Sequence, residues 1–359
     1  MAVHIIAAVG GALVVVLTVG DVVGSLLVTQ GRPALWRPSR LIIATTWPGW
    51  RFAADRLLRA RREQFLARYG PLTLLLMLLV WLSLLLVGWA LLYLGISDAT
   101  QFAAAHDFAG SVYFSSGALL TAGLAGSAPA TGVLHVAALL ETVTSLGTVA
   151  LFIAYVPGVF AAYNRREARL LTLDDPAGRR ITPVAVLTLN APDGDLGRLG
   201  DFFAGWEQWT ADVLESQTAY PVLNFFRSRH AGQSWVTALG ALVEASALAC
   251  AVIPGAEERE PLYMYRRGRR AVSEISARLR IATGFGGGGI ERERLRLTYS
   301  RLVAASIPAR DFEDAWRRLQ ALHEEYAAEL AAFVAFFGAP REFVGHSTAQ
   351  ADGAVRAAR

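Results

Sequence analysis

Between positions 70 and 96 the chain reads GPLTLLLMLLVWLSLLLVGWALLYLGI, without one charged residue. As a helix this stretch rises about 40 Å at 1.5 Å per residue, more than the ~30 Å hydrocarbon core of a bilayer. Backbone amides in hydrocarbon find no water, so a segment of this kind crosses as a helix that satisfies its own hydrogen bonds. Trp81, Trp89 and Tyr93 drift toward its far end, as an aromatic belt does. Two other stretches, about 4–29 and about 132–162, are also long and apolar enough to cross. Of the 359 residues, 54% are hydrophobic and fall in long runs, which excludes an ordinary water-soluble composition. No basic region precedes the first stretch, so it reads as a retained helix and not as a signal peptide.

Charge orients these spans. The net charge of +4 is carried by arginine alone, for the chain contains no lysine. Nine arginines lie between positions 31 and 69, opposed only by Asp55 and Glu63. Residues 97–131 carry Asp98, His106 and Asp107 and no arginine, and Arg165, Arg166 and Arg169 follow the third span. Basic loops stay in the cytoplasm. The expected topology therefore has the N-terminus outside, 31–69 inside, 97–131 outside and the long tail inside a plasma (inner) membrane. Arginine clustered beside apolar spans is a topology signal, so no nucleic-acid partner is expected. Trp36, Trp47 and Trp50 among the arginines of 32–68 fit helices lying at the lipid headgroups, broken in two at Pro48-Gly49. Membrane lipid is the expected partner there. Asp21 is the one charge inside the first span. An acid in a membrane helix is a functional candidate by default; the simpler reading places it near the cytoplasmic end, in water or beside an arginine.

The short stretch from Ser111 to Gly126, SVYFSSGALLTAGLAG, lies between the second and third spans. It reads as an apolar helix over 110–120 followed by a glycine-punctuated loop, Thr121-Ala122-Gly123-Leu124-Ala125-Gly126. Irregular backbone at membrane depth is tolerated only where it lines a cavity or is buried in protein, so a re-entrant loop is expected. In the third span Glu141, Thr144 or Ser145, Thr148, Phe152 and Tyr155 recur at helical spacing and share one face. A polar stripe on a membrane helix turns to the bundle interior or to water. Alternatively its hydroxyls bond back to their own helix, although a charge such as Glu141 needs a partner. Gly147 and the pair Pro157-Gly158 are expected bending points.

The segment YFSSGALLTAGLAG resembles the pore region of potassium channels, in which a short helix leads into a T-V-G-Y-G-type filter. TWPGWR, YGPLTLLLMLLVW, YVPGVFAAYNRRE and LESQTAYPVLNFFRSRHAGQSW extend the resemblance to bacterial potassium-channel-like proteins with an extra N-terminal helix and a helical tail. The resemblance implies an all-α membrane protein with a potassium-channel-like pore domain over 70–163. Its outer helix is 70–96, its pore helix 110–120, its filter Thr121–Gly126 and its inner helix 132–162. It implies a homotetramer, since one pore loop cannot enclose a pathway, and monovalent cations, potassium foremost, as the permeant species. Glu141, Thr144, Ser145, Thr148 and Phe152 are then expected to line the cavity, with Gly147, Pro157 and Gly158 as gating hinges. Thr121 and Gly123 fall on the family's Thr and first Gly; Leu124 and Ala125 stand where an aromatic residue and the second Gly stand. An alanine at a left-handed backbone position costs ~1 kcal/mol or more, so the filter is expected to be altered and potassium selectivity weakened. The alternative is a non-conducting sensor or scaffold that keeps the pore architecture.

The tail over 164–340 reads as a helical cytoplasmic domain, with a disordered end at 341–359. Residues 234–253 approach a spanning length, but Glu244 in their middle favours a buried helix. The arginines of 262–280 are either a phosphate site for a ligand or lipid or a solvated basic face. GFGGGG at 284–289 lacks the Lys-Ser/Thr of a phosphate loop. No α/β alternation, zinc spacing or catalytic triad order emerges, so no enzyme, cofactor or resident metal is expected. Cys250 stands alone and forms no intrachain disulfide.

Overall fold

The computed structural model describes residues 2–27, 38–96, 107–120, 132–173, 182–228, 234–282 and 289–339. Among them there is no strand. The chain divides into two compact units, Met1–Ala161 and Ala162–Arg359. The segments expected as separate domains over 1–30 and 31–69 thus belong to the same unit as the expected pore helices. The expected tail at 341–359 lies outside the described residues.

The first unit contains α1 (Ala2–Leu26), α2 (Pro38–Ala54), α3 (Arg59–Ala67), α4 (Tyr69–Ile96), α5 (Phe108–Leu119) and most of α6 (Gly132–Leu170). Helices α1, α4 and α6 are each long and apolar enough to cross a membrane. Only 17% of the most apolar stretch of α1 is buried within the chain, which leaves Ile6, Val9 and Val16 uncovered, as suits a helix against lipid. Its other face runs antiparallel along α4 with the backbones in close approach. A Cβ on Gly11 would stand 2.5 Å from the carbonyl oxygen of Gly88, and one on Gly95 would collide with the backbone of Ala8. Small residues are what membrane helices use for such contact, because burial against equally apolar lipid offers little and close packing offers much. The His4 ring meets the Leu94 carbonyl oxygen at 2.9 Å.

Helix α2 does not break at Pro48-Gly49 as expected; it continues to Ala54. Contacts on both sides of the proline outweigh its local cost. Trp47 is buried edge-on to Tyr69 (4.9 Å), and Trp50 stacks on Phe65 (4.3 Å) while donating its indole N–H to the Phe65 carbonyl oxygen (3.1 Å). Helix α6 is continuous through Gly147, Pro157 and Gly158, the three expected bending points.

The second unit holds the last residues of α6, then α7 (Pro183–Asn190), α8 (Leu196–Ala219), α9 (Trp235–Val252), α10 (Glu260–Leu279), α11 (Arg292–Ala304) and α12 (Phe312–Phe337). Helix α9 is as long and apolar as a membrane span, yet 94% of it is buried within the chain, against α7, α8, α10 and α12. It is the core of a helical bundle, as Glu244 and its short length suggested. Arg166, read in the sequence as a topology charge, is buried in this unit. Its guanidinium donates to Glu167 (3.1 Å) and to the carbonyl oxygens of Phe226 (2.6 Å) and Leu223 (3.3 Å), and lies over the rings of Tyr163 and Trp235. Trp209 closes the cluster by donating to the Arg166 carbonyl oxygen (3.3 Å).

Two substitutions check this packing. Gly11→Val is expected to lower the stability of α1–α4 packing by ~1–3 kcal/mol, the usual cost of overpacking, whereas Gly10→Ala, with open space around it, is expected to be neutral; thermal unfolding in detergent measures both. Arg166→Ala leaves Glu167 buried and uncompensated and is expected to cost ~3–5 kcal/mol, while the exposed Arg165→Ala should stay within about 0.5 kcal/mol; limited proteolysis of the second unit separates the two.

Candidate functional site

Helix α5 has 12 residues, so it is about 18 Å long and cannot cross the ~30 Å hydrocarbon core. Asp107 caps its start by accepting from the Gly110 amide (2.9 Å), which satisfies one of the open N–H groups of the first turn. Ser111, Phe114, Ser115 and Gly117 are its buried residues. They recur at helical spacing, and Phe114 packs with Leu85, Trp89 and Tyr93 of α4, Leu134 and Ala137 of α6 and Val15 of α1. Four helices thus meet in one apolar cluster.

At the edge of that cluster lies the Glu141 carboxylate, on α6 and wholly buried. Ser115 of α5 donates to its Oε1 (2.5 Å), and the Tyr93 hydroxyl of α4 donates to its Oε2 (2.7 Å). The Tyr93 ring stands perpendicular to Phe114 with centroids 4.9 Å apart. One acid therefore ties the short helix to both of the long helices that flank it. Hydrogen bonds to a charged acceptor are shorter and stronger than neutral ones, and away from water both oxygens need such donors.

This arrangement corrects the expected cavity-lining stripe. Glu141, Ser145, Thr148 and Phe152 are buried within the chain, and Thr144 is half-buried. A side chain enclosed by its own subunit cannot wall a cavity that other copies would enclose. Two of the hydroxyls bond back to their own helix, Thr144 to the Glu141 carbonyl oxygen (2.9 Å) and Thr148 to that of Thr144 (2.8 Å). The uncovered face of α6 is apolar, with Val136, Leu139, Leu140, Val143, Leu146 and Ile153 exposed. The expected filter, Thr121, Ala122, Gly123, Leu124, Ala125 and Gly126, lies outside the described residues.

The second membrane acid is also fully engaged. Asp21 is buried, and an indole and a serine hold it in place of the arginine or bulk water expected. Its Oδ2 accepts from the Trp81 indole (2.8 Å) and the Ser39 amide (3.0 Å), and its Oδ1 from the Ser39 hydroxyl (2.8 Å). Ser39 is the second residue of α2, so Asp21 supplies from another helix the acceptor that an N-cap residue supplies locally. The negative charge also suits the positive end of the α2 dipole. Sequence reasoning missed these partners because they lie 18 and 60 positions away; the one available signal was a charge that an apolar span does not tolerate alone. Among the described residues no group of three or more His, Cys, Asp or Glu side chains is placed to hold a metal ion.

Comparison with known proteins adds little chemistry. The chain is 24% identical over 263 residues to the uncharacterized membrane protein YdjJ of Bacillus subtilis (strain 168), a match covering 70% of this chain and 74% of that protein. No family model matches, and no solved structure matches. The apolar helices and the absence of strands among the described residues make this an all-α membrane protein.

Glu141→Leu removes the acceptor of two buried donors. It is expected to destabilise the first unit by ~2–4 kcal/mol, and Tyr93→Phe, which removes one donor and leaves Ser115 in place, by ~1–2 kcal/mol. Thermal unfolding in detergent should rank them in that order; equal stability of all three proteins contradicts the bonded junction.

Proposed function

We propose that the chain is the subunit of a potassium-channel-like channel that passes monovalent cations across the plasma membrane as a homotetramer. The observation that carries this reading is α5, too short to cross a membrane, seated between two helices that can, and bound to both through Glu141. A helix of this kind directs its carboxyl end, with its partial negative charge, toward the segment that follows, which here is the TAGLAG stretch. Carbonyl oxygens of such a segment replace the hydration shell of a cation. Closed four-fold symmetry brings four copies of the segment to one axis, and the uncovered apolar face of α6 supplies surface for neighbouring copies or for the pathway wall. An apolar wall gates by dewetting when it narrows. Because Glu141 is engaged inside the subunit, cation preference in this reading rests on helix dipoles and filter carbonyls and not on a ring of glutamates. The distribution of arginine supports an N-terminus outside and a second unit in the cytoplasm.

Purified protein in planar bilayers with potassium on one side and sodium on the other tests the proposal. A cation current is expected, with a reversal potential displaced from the potassium equilibrium value toward zero because of Leu124 and Ala125. The double substitution Leu124→Tyr with Ala125→Gly is expected to shift it toward the potassium value. Silence across lipids and pH would overturn the channel reading in favour of a non-conducting scaffold, and an unchanged ion preference in the double variant would overturn the assignment of the filter.

A further inference from the structure

We infer that the cytoplasm-assigned second unit carries a binding site for a phosphate-bearing anion, in the groove where α10 faces α12. The inference stands on the second unit alone and does not depend on the channel reading. The groove encloses about 570 Å³, within the range of pockets that hold small molecules. Arg266, Arg269, Arg270, Ser273 and Glu274 line it from α10, and Glu325 from α12. Positions 262, 266, 269, 270 and 273 are spaced so as to share one face of α10, while Met264, Gly268, Ala271, Val272 and Ile275 form its buried face. The basic residues of 262–280 are therefore sorted by the helix: three of them line one groove, Arg269 and Arg270 with their side chains 44% and 65% exposed.

The charges in the groove do not balance. Arg269 is paired with Glu325, and Arg270 with Glu274 at 2.6 Å. Arg266 forms no ion pair or hydrogen bond among the described residues, so the site has an excess of one guanidinium. Both existing pairs are about half exposed or more at one partner, and surface pairs of this kind are worth little, so an incoming anion exchanges for a carboxylate at small cost. Three guanidinium forks within two helical turns suit a group with several acceptor oxygens spread about one centre, which is a phosphoryl group more than a single carboxylate. Ser273 adds a hydroxyl, and Leu262 and Leu322 give the groove an apolar wall for whatever the phosphate is attached to. Burial pushes the Tyr265 hydroxyl at the groove floor up to about 12, so it remains a donor at physiological pH, directed to the Leu322 carbonyl oxygen and the Glu325 carboxylate at 3.0 Å each.

The same chemistry is offered by a soluble phosphate compound and by a lipid headgroup, and two probes separate them. Full-length protein in phosphatidylcholine nanodiscs is titrated by calorimetry with pyrophosphate and, separately, with short-chain phosphatidylglycerol. Saturable binding of one or both is expected. Arg266→Gln with Arg269→Gln should weaken it at least tenfold, Glu325→Gln should tighten it by freeing Arg269, and Arg198→Gln, on α8, should leave it unchanged. Response to pyrophosphate assigns a soluble ligand, and response to the lipid alone assigns a headgroup. Saturable binding of neither probe, or equal binding by the double variant with unchanged thermal unfolding, overturns the site.

Discussion

A single buried carboxylate holds the first unit's short helix where it is. Without Glu141, α5, a 12-residue helix, would keep only its apolar packing and the weaker Ser115–Leu86 and Thr142–Ala118 bonds to set its depth and rotation. With it, Ser115 and Tyr93 must both face the same point on α6, and that requirement sets the register of three helices at once. Apolar packing around Phe114 and Trp89 supplies contact area, but apolar contact is nearly isotropic and lets a helix slide. A bonded charge in a medium without water does not, because every displaced position leaves an unsatisfied group.

Asp21 applies the same physics at another place. It joins α1 to α4 through Trp81 and gathers the start of α2 through Ser39. The two acids divide the labour: Asp21 fixes how the basic amphipathic helix leaves the first span, and Glu141 fixes how the short helix enters between the second and third. Helices α1 and α4 approach through Gly11 and Gly95, each set against the partner's backbone, and through Gly88, which takes the side chains of Val14 and Val15. Polar anchors specify and small residues permit, which is how membrane helices associate when lipid is as apolar as their own surfaces.

The second unit is organised around one apolar helix. Its most apolar helix, α9, is the one most completely covered, and the amphipathic α8, α10 and α12 turn their apolar faces to it. Arg166 sits where the chain enters this bundle and takes its partners from backbone carbonyls and aromatic rings as much as from Glu167. An arginine next to a membrane span is read by default as a topology charge. Here the neighbouring Arg165 is exposed and Arg166 is not, a distinction that one helical step of about 100° creates and that composition does not register.

The sequence by itself determined the helical class, the three exposed spans and the basic loop, because each follows from local content: apolar length, absence of charge, and arginine density within a short window. It also pointed to α5, since a short apolar helix between spans has few places to go, and to Asp21 and Glu141 as groups in need of partners. The tertiary structure decided who those partners are. Tyr93, Ser115, Trp81 and Ser39 lie 18 to 60 positions from the acids that they serve, and no periodicity carries information over that distance. It decided, too, that the polar stripe of α6 is enclosed by its own chain and that α2 passes unbroken through Pro48. At Pro48 a local cost of about 3 kcal/mol met packing and hydrogen bonding on both sides of the proline, and the tertiary contacts prevailed.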